Sequence, residues 1–283
     1  MAGKAINDAR HIRPLAPLST GIAPDLAAMQ RFSAMLFDVY GTLLISGAGD
    51  GYTREPAQRA ADVQGLLQRY GIDCTPDRLA GALARTIQRS HSDQRRNGVD
   101  HPEVDIIQVW RKVLGLDDIA ELTGFALEYA LIVNPVYPMP GLKELLAAGK
   151  TSRMPMGIIS NAQFYTVGML ERFLGATLEE QGFDRRLLFF SWKEGHAKPS
   201  PVMFDRAKAV LFSMGIPVAS ALVVGNDMQN DILPAKTVGF KAALFAGDRR
   251  SLRRRESDGR CKDISPDLIV TDLRQLIAGV DDS

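Results

Sequence analysis

Apolar residues in this chain occur in short runs that end at glycine, proline or polar residues. The clearest runs are 34–37, 157–160, 187–191, 221–225, 241–245 and 268–270. Short apolar runs with such borders are typical of strands that are buried on both faces. From residue 140 onward they alternate with helical patterns such as 202–212, which predicts a parallel sheet flanked by helices.

Between residues 46 and 134 the spacing of apolar positions becomes helical. The predicted helices are 56–70, 77–96, 104–114 and 119–131. Gly47, Gly49 and Gly51 precede this region and a proline-rich stretch, 134–141, follows it, which is the composition expected of hinges. We therefore expect three parts, namely an N-terminal extension at 1–31, a core at 32–46 and 134–283, and an inserted helical subdomain at 47–133. The extension, with its three prolines, is interpreted as an arm over the core or a partly ordered tail.

Composition limits the partners that this chain is expected to have. With 283 residues and 46% hydrophobic content, it can bury an α/β core and one smaller subdomain. A net charge of +1 does not favour nucleic acid or membrane as a partner, and the arginine-rich stretch 249–255 is interpreted as an exposed helix. Two widely separated cysteines and the lack of a signal-like apolar segment favour a cytoplasmic protein.

A carboxylate stands at the end of the first apolar run. Asp38 follows Phe37 directly and precedes a turn that contains Gly41 and Thr42. Open α/β sheets bind ligands at the carboxyl ends of their strands. Asp38 therefore lies where a nucleophile would act.

Three later segments carry further polar residues at comparable places. Ser160 and Asn161 end the second strand of the core and supply a hydroxyl and an amide suited to an oxyanion. Lys198 lies in a loop just before a predicted helix. Asp227 and Asp231 follow another strand, four residues apart, and would repel each other unless a cation lay between them.

In this order and with these spacings, the four segments resemble the four motifs of the haloacid dehalogenase (HAD) superfamily, from residue 35 to 247. The resemblance implies a Rossmann-like parallel sheet core with helices on both faces and a helical cap that closes over the active site. It implies a covalent aspartyl intermediate on Asp38, a group under attack held by Ser160 and Asn161, and charge neutralisation by Lys198. The residues it assigns to catalysis are Asp38, Tyr40, Thr42, Ser160, Asn161 and Lys198. The residues it assigns to a Mg²⁺ site are Asp38, Tyr40 through its main-chain carbonyl, Asp227 and Asp231.

The first motif departs from the phosphatases of this superfamily. They normally carry a second aspartate two residues after the nucleophile, and here that residue is Tyr40. A phenol with a pKa near 10 is a poor base at neutral pH, so the change should remove a contribution of roughly 10²–10⁴ in rate. The sequence Asp-x-Tyr-Gly-Thr is the form found in the haloacid dehalogenases, where a halide leaves without a proton.

The fourth motif favours the opposite assignment. Dehalogenases of this type work without metal and usually carry a Ser-Ser-Asn run before a single acid, whereas this chain has Gly225-Asn226-Asp227 and a second acid at Asp231. That pattern favours a metal site. The ligand can be Asn226 or Asp227 depending on the alignment, and the spacing to Asp231 favours Asp227.

Three functional hypotheses follow, each with a small anionic substrate. The first is a magnesium-dependent phosphatase that acts on a small phosphate monoester. The second is a metal-free 2-haloacid dehalogenase, and the third is a ligand-binding protein with weak activity on the same fold. Polar and aromatic residues of the helical region are interpreted as part of a solvated face and are not assigned to the site: His91, Arg95, Arg96, Trp110 and Arg111. The oligomeric state is left open.

Overall fold

The central feature of the fold is a parallel sheet, seen in a computed structural model that describes residues 12–48 and 56–280. The strands in this part of the chain are β1 Ala34–Phe37, β2 Leu44–Ser46, β3 Val136–Pro138, β4 Met156–Ser160, β5 Phe183–Phe190, β6 Ala221–Gly225, β7 Lys241–Phe245 and β8 Leu268–Val270. Six of them form one sheet in the order β5-β4-β1-β6-β7-β8, with every neighbouring pair parallel. The predicted fold class is confirmed.

Strand β1 lies at the centre of the sheet and is buried on both faces. Met35 and Phe37 point into one apolar cluster, and Ala34 and Leu36 point into the cluster on the opposite face. Successive side chains of a strand alternate between the two faces, so a continuous apolar run is what a central parallel strand requires. The side chain that follows this run emerges at the carboxyl edge of the sheet.

Helices cover both faces of the sheet, as expected from the alternation of patterns. The helices of the core are α5 Leu142–Thr151, α6 Tyr165–Leu174, α7 Ser191–Glu194, α8 Val202–Ser213 and α9 Leu233–Val238. Leucines of α5 and α6 pack on one face, and apolar residues of α8 and α9 pack on the other. The strand predicted at 187–191 is longer in the structure and ends before Ser191, whose hydroxyl turns to the carboxylate of Glu103 at 2.7 Å.

The helical region forms a packed unit with its own apolar cluster. Its helices are α1 Pro56–Arg69, α2 Pro76–Arg96, α3 Ile106–Leu114 and α4 Ile119–Val133. At the centre of the cluster, the ring of Phe125 lies edge-on to Trp110 and to Tyr70, with centroids 5.0 and 5.3 Å apart. Trp110 is buried, so its interpretation as part of a solvated face is wrong. The boundaries predicted for this subdomain stay a prediction, and the proposed hinge glycines Gly49 and Gly51 lie outside the described residues.

One feature of the fold was not predicted, and a second concerns the N-terminal extension, which was interpreted as an arm over the core or a partly ordered tail. Strands β2 and β3 pair in antiparallel fashion where the chain leaves and re-enters the core. Residues 12–31 lie along the core, where Asp25 exchanges main-chain hydrogen bonds with Ile269 of β8 and covers that edge of the sheet. None of the helices described in 12–48 and 56–280 is long and apolar enough to cross a membrane.

Candidate active site

Asp38 is presented by the end of β1 and by the turn that follows. Asp38 is only 7% exposed, and its main-chain amide donates to the main-chain carbonyl of Val224 in β6 at 2.9 Å. The turn needs a glycine at Gly41, where φ is +91° and an added Cβ would lie 2.5 Å from Ser251. The sequence around Asp38 therefore fixes a carboxylate at the floor of a cleft.

Lys198 lies between two carboxylates. Its Nζ donates to Oδ1 of Asp38 at 2.7 Å, to Oδ1 of Asp231 at 2.5 Å and to the carbonyl of Ile159 at 3.1 Å. Burial on its own would lower the pKa of the Lys198 ammonium, but the carboxylates of Asp231 and Asp38 outweigh it and hold that pKa above its usual range. A fixed positive charge therefore touches the predicted nucleophile.

Asp231 reaches Lys198 from a π-helical turn, Met228–Ile232, that follows β6. Its Oδ2 accepts the main-chain amide of Asp227 at 3.0 Å. Gly225 makes this approach possible, because a Cβ at that position would lie 2.2 Å from Cγ of Asp231. Burial raises the pKa of the Asp231 carboxyl to about 7, although the Lys198 ammonium pulls it downward.

Ser160 and Asn161, at the end of β4, are both brought to this site but do different things. The Ser160 hydroxyl donates to Oδ1 of Asp38 at 2.9 Å. The Asn161 side chain forms two hydrogen bonds with the main chain of Lys198, accepting from its amide at 2.7 Å and donating to its carbonyl at 3.1 Å. In this arrangement Ser160 orients the carboxylate of Asp38, and Asn161 holds the loop that carries Lys198.

Tyr40 and Thr42 are less directly connected to Asp38. The Tyr40 hydroxyl lies 2.8 Å from Oγ1 of Thr166, and burial, with a further contribution from Tyr165, raises the pKa of this phenol far above its usual value. Thr42 Oγ1 donates to Oδ1 of Asn226 at 3.2 Å. Tyr40 is therefore a neutral group in the wall of the site, and Thr42 ties the turn after β1 to the loop after β6.

The Asp227 carboxylate forms an ion pair with Arg255. Arg255 donates Nε to Oδ1 at 3.1 Å and Nη2 to Oδ2 at 2.7 Å, which is the paired geometry that guanidinium and carboxylate favour. Gln229 donates its main-chain amide to Oδ1 of Asp227, and Asn230 donates its side-chain amide to Oδ2, each at 2.9 Å. Arg255 has a φ of +52°, a left-handed conformation that is costly for a residue with a side chain.

This arrangement bears on the predicted magnesium site. Mg²⁺ requires oxygen ligands in near-octahedral geometry, usually carboxylates together with waters. Asp227 is engaged by Arg255, while Asp38 and Asp231 share Lys198. Across residues 12–48 and 56–280, no three acidic, histidine or cysteine side chains are grouped to hold a metal ion. The donors as placed do not fit a magnesium ion at Asp227.

The arginine-rich stretch contributes to the site, and its predicted helix is wrong. Residues 248–256 form turns and an isolated bridge, because the buried Asp248 carboxylate accepts the main-chain amide of Arg250 and its guanidinium at 3.1 Å. The main chain of Arg253 pairs with that of Asn226 and Met228. Arg253 and Arg255 were missed as site residues. The available signal was their position shortly after β7, whose carboxyl end lies at the same sheet edge as that of β1.

Two cavities meet at this edge of the sheet. The polar cavity, about 350 Å³, is lined by charged and polar residues that include Asp38, Lys198, Asp227, Asp231, Arg253 and Arg255. The apolar cavity, about 280 Å³, lies between the helical region and the core. Tyr40, Asn134 and Asn161 line both of them. The site therefore offers a charged compartment and an adjoining apolar one.

Known proteins resemble the chain in sequence. A family described as HAD-hydrolase-like matches residues 196–276, a stretch that includes Lys198, Asp227 and Asp231. A phosphoglycolate phosphatase from Pseudomonas fluorescens (strain Pf0-1) is 26% identical over 259 residues, which cover 87% of this chain and 78% of that protein. The sequence likeness thus extends well beyond the matched family segment.

Solved structures share the fold. A defluorinating L-2-haloacid dehalogenase superposes with a TM-score of 0.53 at 20% identity, covering 95% of this chain and 99% of that one. A 2-haloacid dehalogenase from Pseudomonas syringae pv. Tomato DC3000 gives a TM-score of 0.52 at 17% identity, with 88% and 96% covered. At these identities the likeness is one of fold.

Proposed function

The chain belongs to the haloacid dehalogenase superfamily of hydrolases, and from that premise we propose that it hydrolyses a small organic phosphate monoester with Asp38 as the nucleophile. The observation that carries the proposal is the pair of hydrogen bonds from Lys198 and Ser160 to one oxygen of a buried aspartate. Lys198 and Arg253 in the polar cavity can contact an anionic substrate, although three carboxylates line the cavity as well. The phosphatase from Pseudomonas fluorescens supports phosphate as the anion.

In the first step, Oδ2 of Asp38 attacks phosphorus and the bond from phosphorus to the ester oxygen breaks. The electron pair of that bond leaves on the ester oxygen, which takes a proton from water, and an aspartyl phosphate is formed. Lys198 and Ser160 hold Oδ1 during the attack, so that Oδ2 is the oxygen turned to the substrate. The Lys198 ammonium offsets the charge that a phosphate and a carboxylate bring together.

In the second step, water attacks phosphorus, and the bond between phosphorus and Oδ2 of Asp38 breaks. Inorganic phosphate leaves and the carboxylate is restored, again beside Lys198. A magnesium ion, which the family resemblance implies, would supply further charge neutralisation. At Asp227 it would have to displace the two hydrogen bonds of Arg255.

A second candidate function is the hydrolytic dehalogenation of a 2-haloacid. The specific observation in its favour is Tyr40, which stands where a phosphatase would carry an acid and whose pKa lies far above its usual value because of burial. In that reaction Asp38 attacks carbon, the carbon–halogen bond breaks, and halide leaves without a proton. Water then hydrolyses the resulting ester to the hydroxy acid and the carboxylate.

A small substrate panel separates these functions. Phosphoglycolate, phenyl phosphate, acetyl phosphate and 2-chloropropionate are incubated with the enzyme, each with magnesium and with chelator, and released phosphate and chloride are measured. We expect phosphate release that is lost in Asp38→Asn. Chloride release without phosphate release would establish the dehalogenase, and no release of either would favour a ligand-binding protein.

A further inference from the structure

The apolar cavity, which adjoins the polar cavity of Asp38, has a wall suited to an apolar group. Aromatic rings from both sides contribute to its wall, with Trp110 and Tyr129 from the helical region and Tyr165 from the core. The aliphatic and small residues that complete it are Leu83, Ile106, Ala126, Ala130, Val133, Ala162 and Met169. Ligand cavities are typically lined by apolar and aromatic side chains with a few polar groups.

Gln163 and Glu103, two polar residues of this wall, are engaged by neighbouring protein groups. Gln163 donates to the carbonyl of Val104 at 2.9 Å and accepts the amide of Ile106 at 3.2 Å. Oε2 of Glu103 accepts the Ser191 hydroxyl at 2.7 Å. Because these groups have partners within the protein, the surface offered to a ligand is mainly that of rings and aliphatic chains. Such a surface favours an apolar group over a short polar one.

The position of the cavity shows which part of a substrate it would take. Tyr40 and Asn161 line both this cavity and the polar one that contains Asp38. A molecule with its phosphate against Lys198 can therefore extend its leaving group past Tyr40 into the apolar space. A cavity of about 150 Å³ lined by apolar side chains takes up benzene, so one of about 280 Å³ has room for an aromatic ring.

Tyr40 also limits the chemistry of the leaving group. An alkoxide needs a proton as it leaves phosphate, which is the contribution of a general acid. A phenolate does not, because phenols ionise near pH 10. The Tyr40 hydroxyl lies 2.8 Å from Oγ1 of Thr166, so it is engaged by that group and is not directed at a departing alkoxide. Tyr40 stands where the acid would be, and the cavity has room for a ring. Both features therefore favour a phenolate as the leaving group.

We propose that the substrate is an aryl phosphate, a monoester of a phenolic hydroxyl, with its ring in the apolar cavity and its phosphate beside Asp38 and Lys198. This rests on the proposed phosphatase function and adds the class of the leaving group. Attack by Asp38 breaks the bond between phosphorus and the phenolic oxygen, and the phenolate departs with the electron pair. It is protonated by water after it has left.

Four phosphates test this by varying ring and leaving group separately. Phenyl phosphate has a ring and a good leaving group, cyclohexyl phosphate a ring and a poor one, acetyl phosphate no ring and a good one, and ethyl phosphate neither. We expect kcat/KM for phenyl phosphate to exceed that for acetyl phosphate about 10- to 100-fold through burial of the ring. It should exceed that for cyclohexyl phosphate about 10²- to 10⁴-fold because no acid assists the alkoxide.

A cavity-filling variant locates the ring. Ala130→Phe adds a ring to the wall and should lower the ratio of phenyl to acetyl phosphate kcat/KM about tenfold. Ala84→Phe, at an exposed position on α2, is the matched control and should keep the wild-type ratio. If Ala130→Phe does not fold, inhibition of the wild-type enzyme by phenylphosphonate and by methylphosphonate gives the same comparison. Tighter binding of phenylphosphonate is the result expected.

The outcomes separate the two proposals. Equal turnover of acetyl, ethyl and phenyl phosphate, or equal inhibition by the two phosphonates, would overturn the aryl phosphate and leave the phosphatase standing. Failure to release phosphate from any of the four, acetyl phosphate included, would overturn the phosphatase itself. An unchanged ratio in a folded Ala130→Phe variant would show that the ring binds elsewhere.

Discussion

The polar and the apolar cavity meet at Tyr40, yet they are built in different ways. Asp38, Lys198 and Asp231 of the polar cavity come from short segments at the carboxyl edge of one sheet and are joined to each other by hydrogen bonds. The apolar cavity takes one or a few residues from each of several helices and loops of both parts of the chain. On the proposed function, reaction chemistry would be set locally at strand ends, whereas substrate choice would depend on how the helical region packs on the core.

The two cavities should also respond differently to mutation. Removing one member of the polar cluster leaves a buried charge without its partner, which is costly for both catalysis and stability. Removing or adding apolar volume also costs stability, but it leaves no buried charge unpaired and acts on a bound substrate through contact area and fit. We therefore expect large effects on kcat in the polar cavity and moderate, substrate-dependent effects on kcat/KM in the apolar one.

The largest effect is expected for Asp38→Asn. The amide keeps the shape of the side chain but cannot attack phosphorus, so turnover should fall by about 10⁴-fold or more. Phosphate release from phenyl phosphate measures it, under conditions that exclude deamidation. Asp184→Asn, which breaks an ion pair with Arg186 on β5, is the control and should retain activity. Retained turnover in a stable Asp38→Asn variant would remove Asp38 as the nucleophile.

Lys198→Met should come next, with kcat reduced about 10³-fold because the charge beside Asp38 and Asp231 is lost. It should also lower the free energy of unfolding, by roughly 3–5 kcal/mol, since two buried carboxylates are left without their cation. Steady-state kinetics and urea unfolding provide the two measurements. Lys193→Met, an exposed lysine in the preceding helical turn, should change neither. Similar kinetics for both variants would contradict the role of Lys198.

Tyr40→Asp tests whether residue 40 acts on the leaving group, and its effect should be the third largest. An aspartate there supplies the missing acid, so we expect turnover of ethyl and cyclohexyl phosphate to rise about 10²-fold. Phenyl phosphate, which needs no acid, should gain much less. Tyr40→Phe is the control, and because the pKa of Tyr40 lies far above its usual value, this variant should keep the alkaline side of the pH profile. A uniform change for all substrates would show that residue 40 does not act on the leaving group.

The smallest effect is expected for Arg255→Met, and the quantity measured is the affinity for Mg²⁺. The variant frees the Asp227 carboxylate, so affinity for Mg²⁺ should rise about 5- to 10-fold, as expected for loss of a competing ion pair worth about 1 kcal/mol. Titration calorimetry without substrate measures this directly. Arg254→Met, which removes an exposed pair with Glu256, is the matched control. Equal affinities in the wild type and Arg255→Met would mean that Arg255 does not compete with the metal.

The comparison also explains what the sequence could predict. The strand at 221–225 was predicted correctly, because a buried strand followed by a polar turn leaves a local signal. The metal-binding role of the acids that follow it stays a prediction. Ser160 and Lys198 were brought to Asp38 for the same reason. Each of these signals lies within a few consecutive residues.

The remainder depends on contacts between distant residues. Arg255 reaches Asp227 only because the segment after β7 folds inward around Asp248, and a run of arginines has the composition of an exposed helix. Strands β2 and β3 are too short to show a period. Trp110 lies on the apolar face that the sequence of α3 shows, but that sequence does not reveal that this face lines the apolar cavity.

The central claim, a covalent phosphate on Asp38, can be tested directly by acid quench of the enzyme during turnover of phenyl phosphate, followed by digestion and mass spectrometry. Cleavage after Arg31 and Arg54 releases a peptide that contains Asp38 and no other lysine or arginine within it. We predict that this peptide gains one phosphate, that fragmentation places it on Asp38, and that Asp38→Asn abolishes it. Rapid phosphate release with this peptide unmodified throughout the reaction would contradict the account.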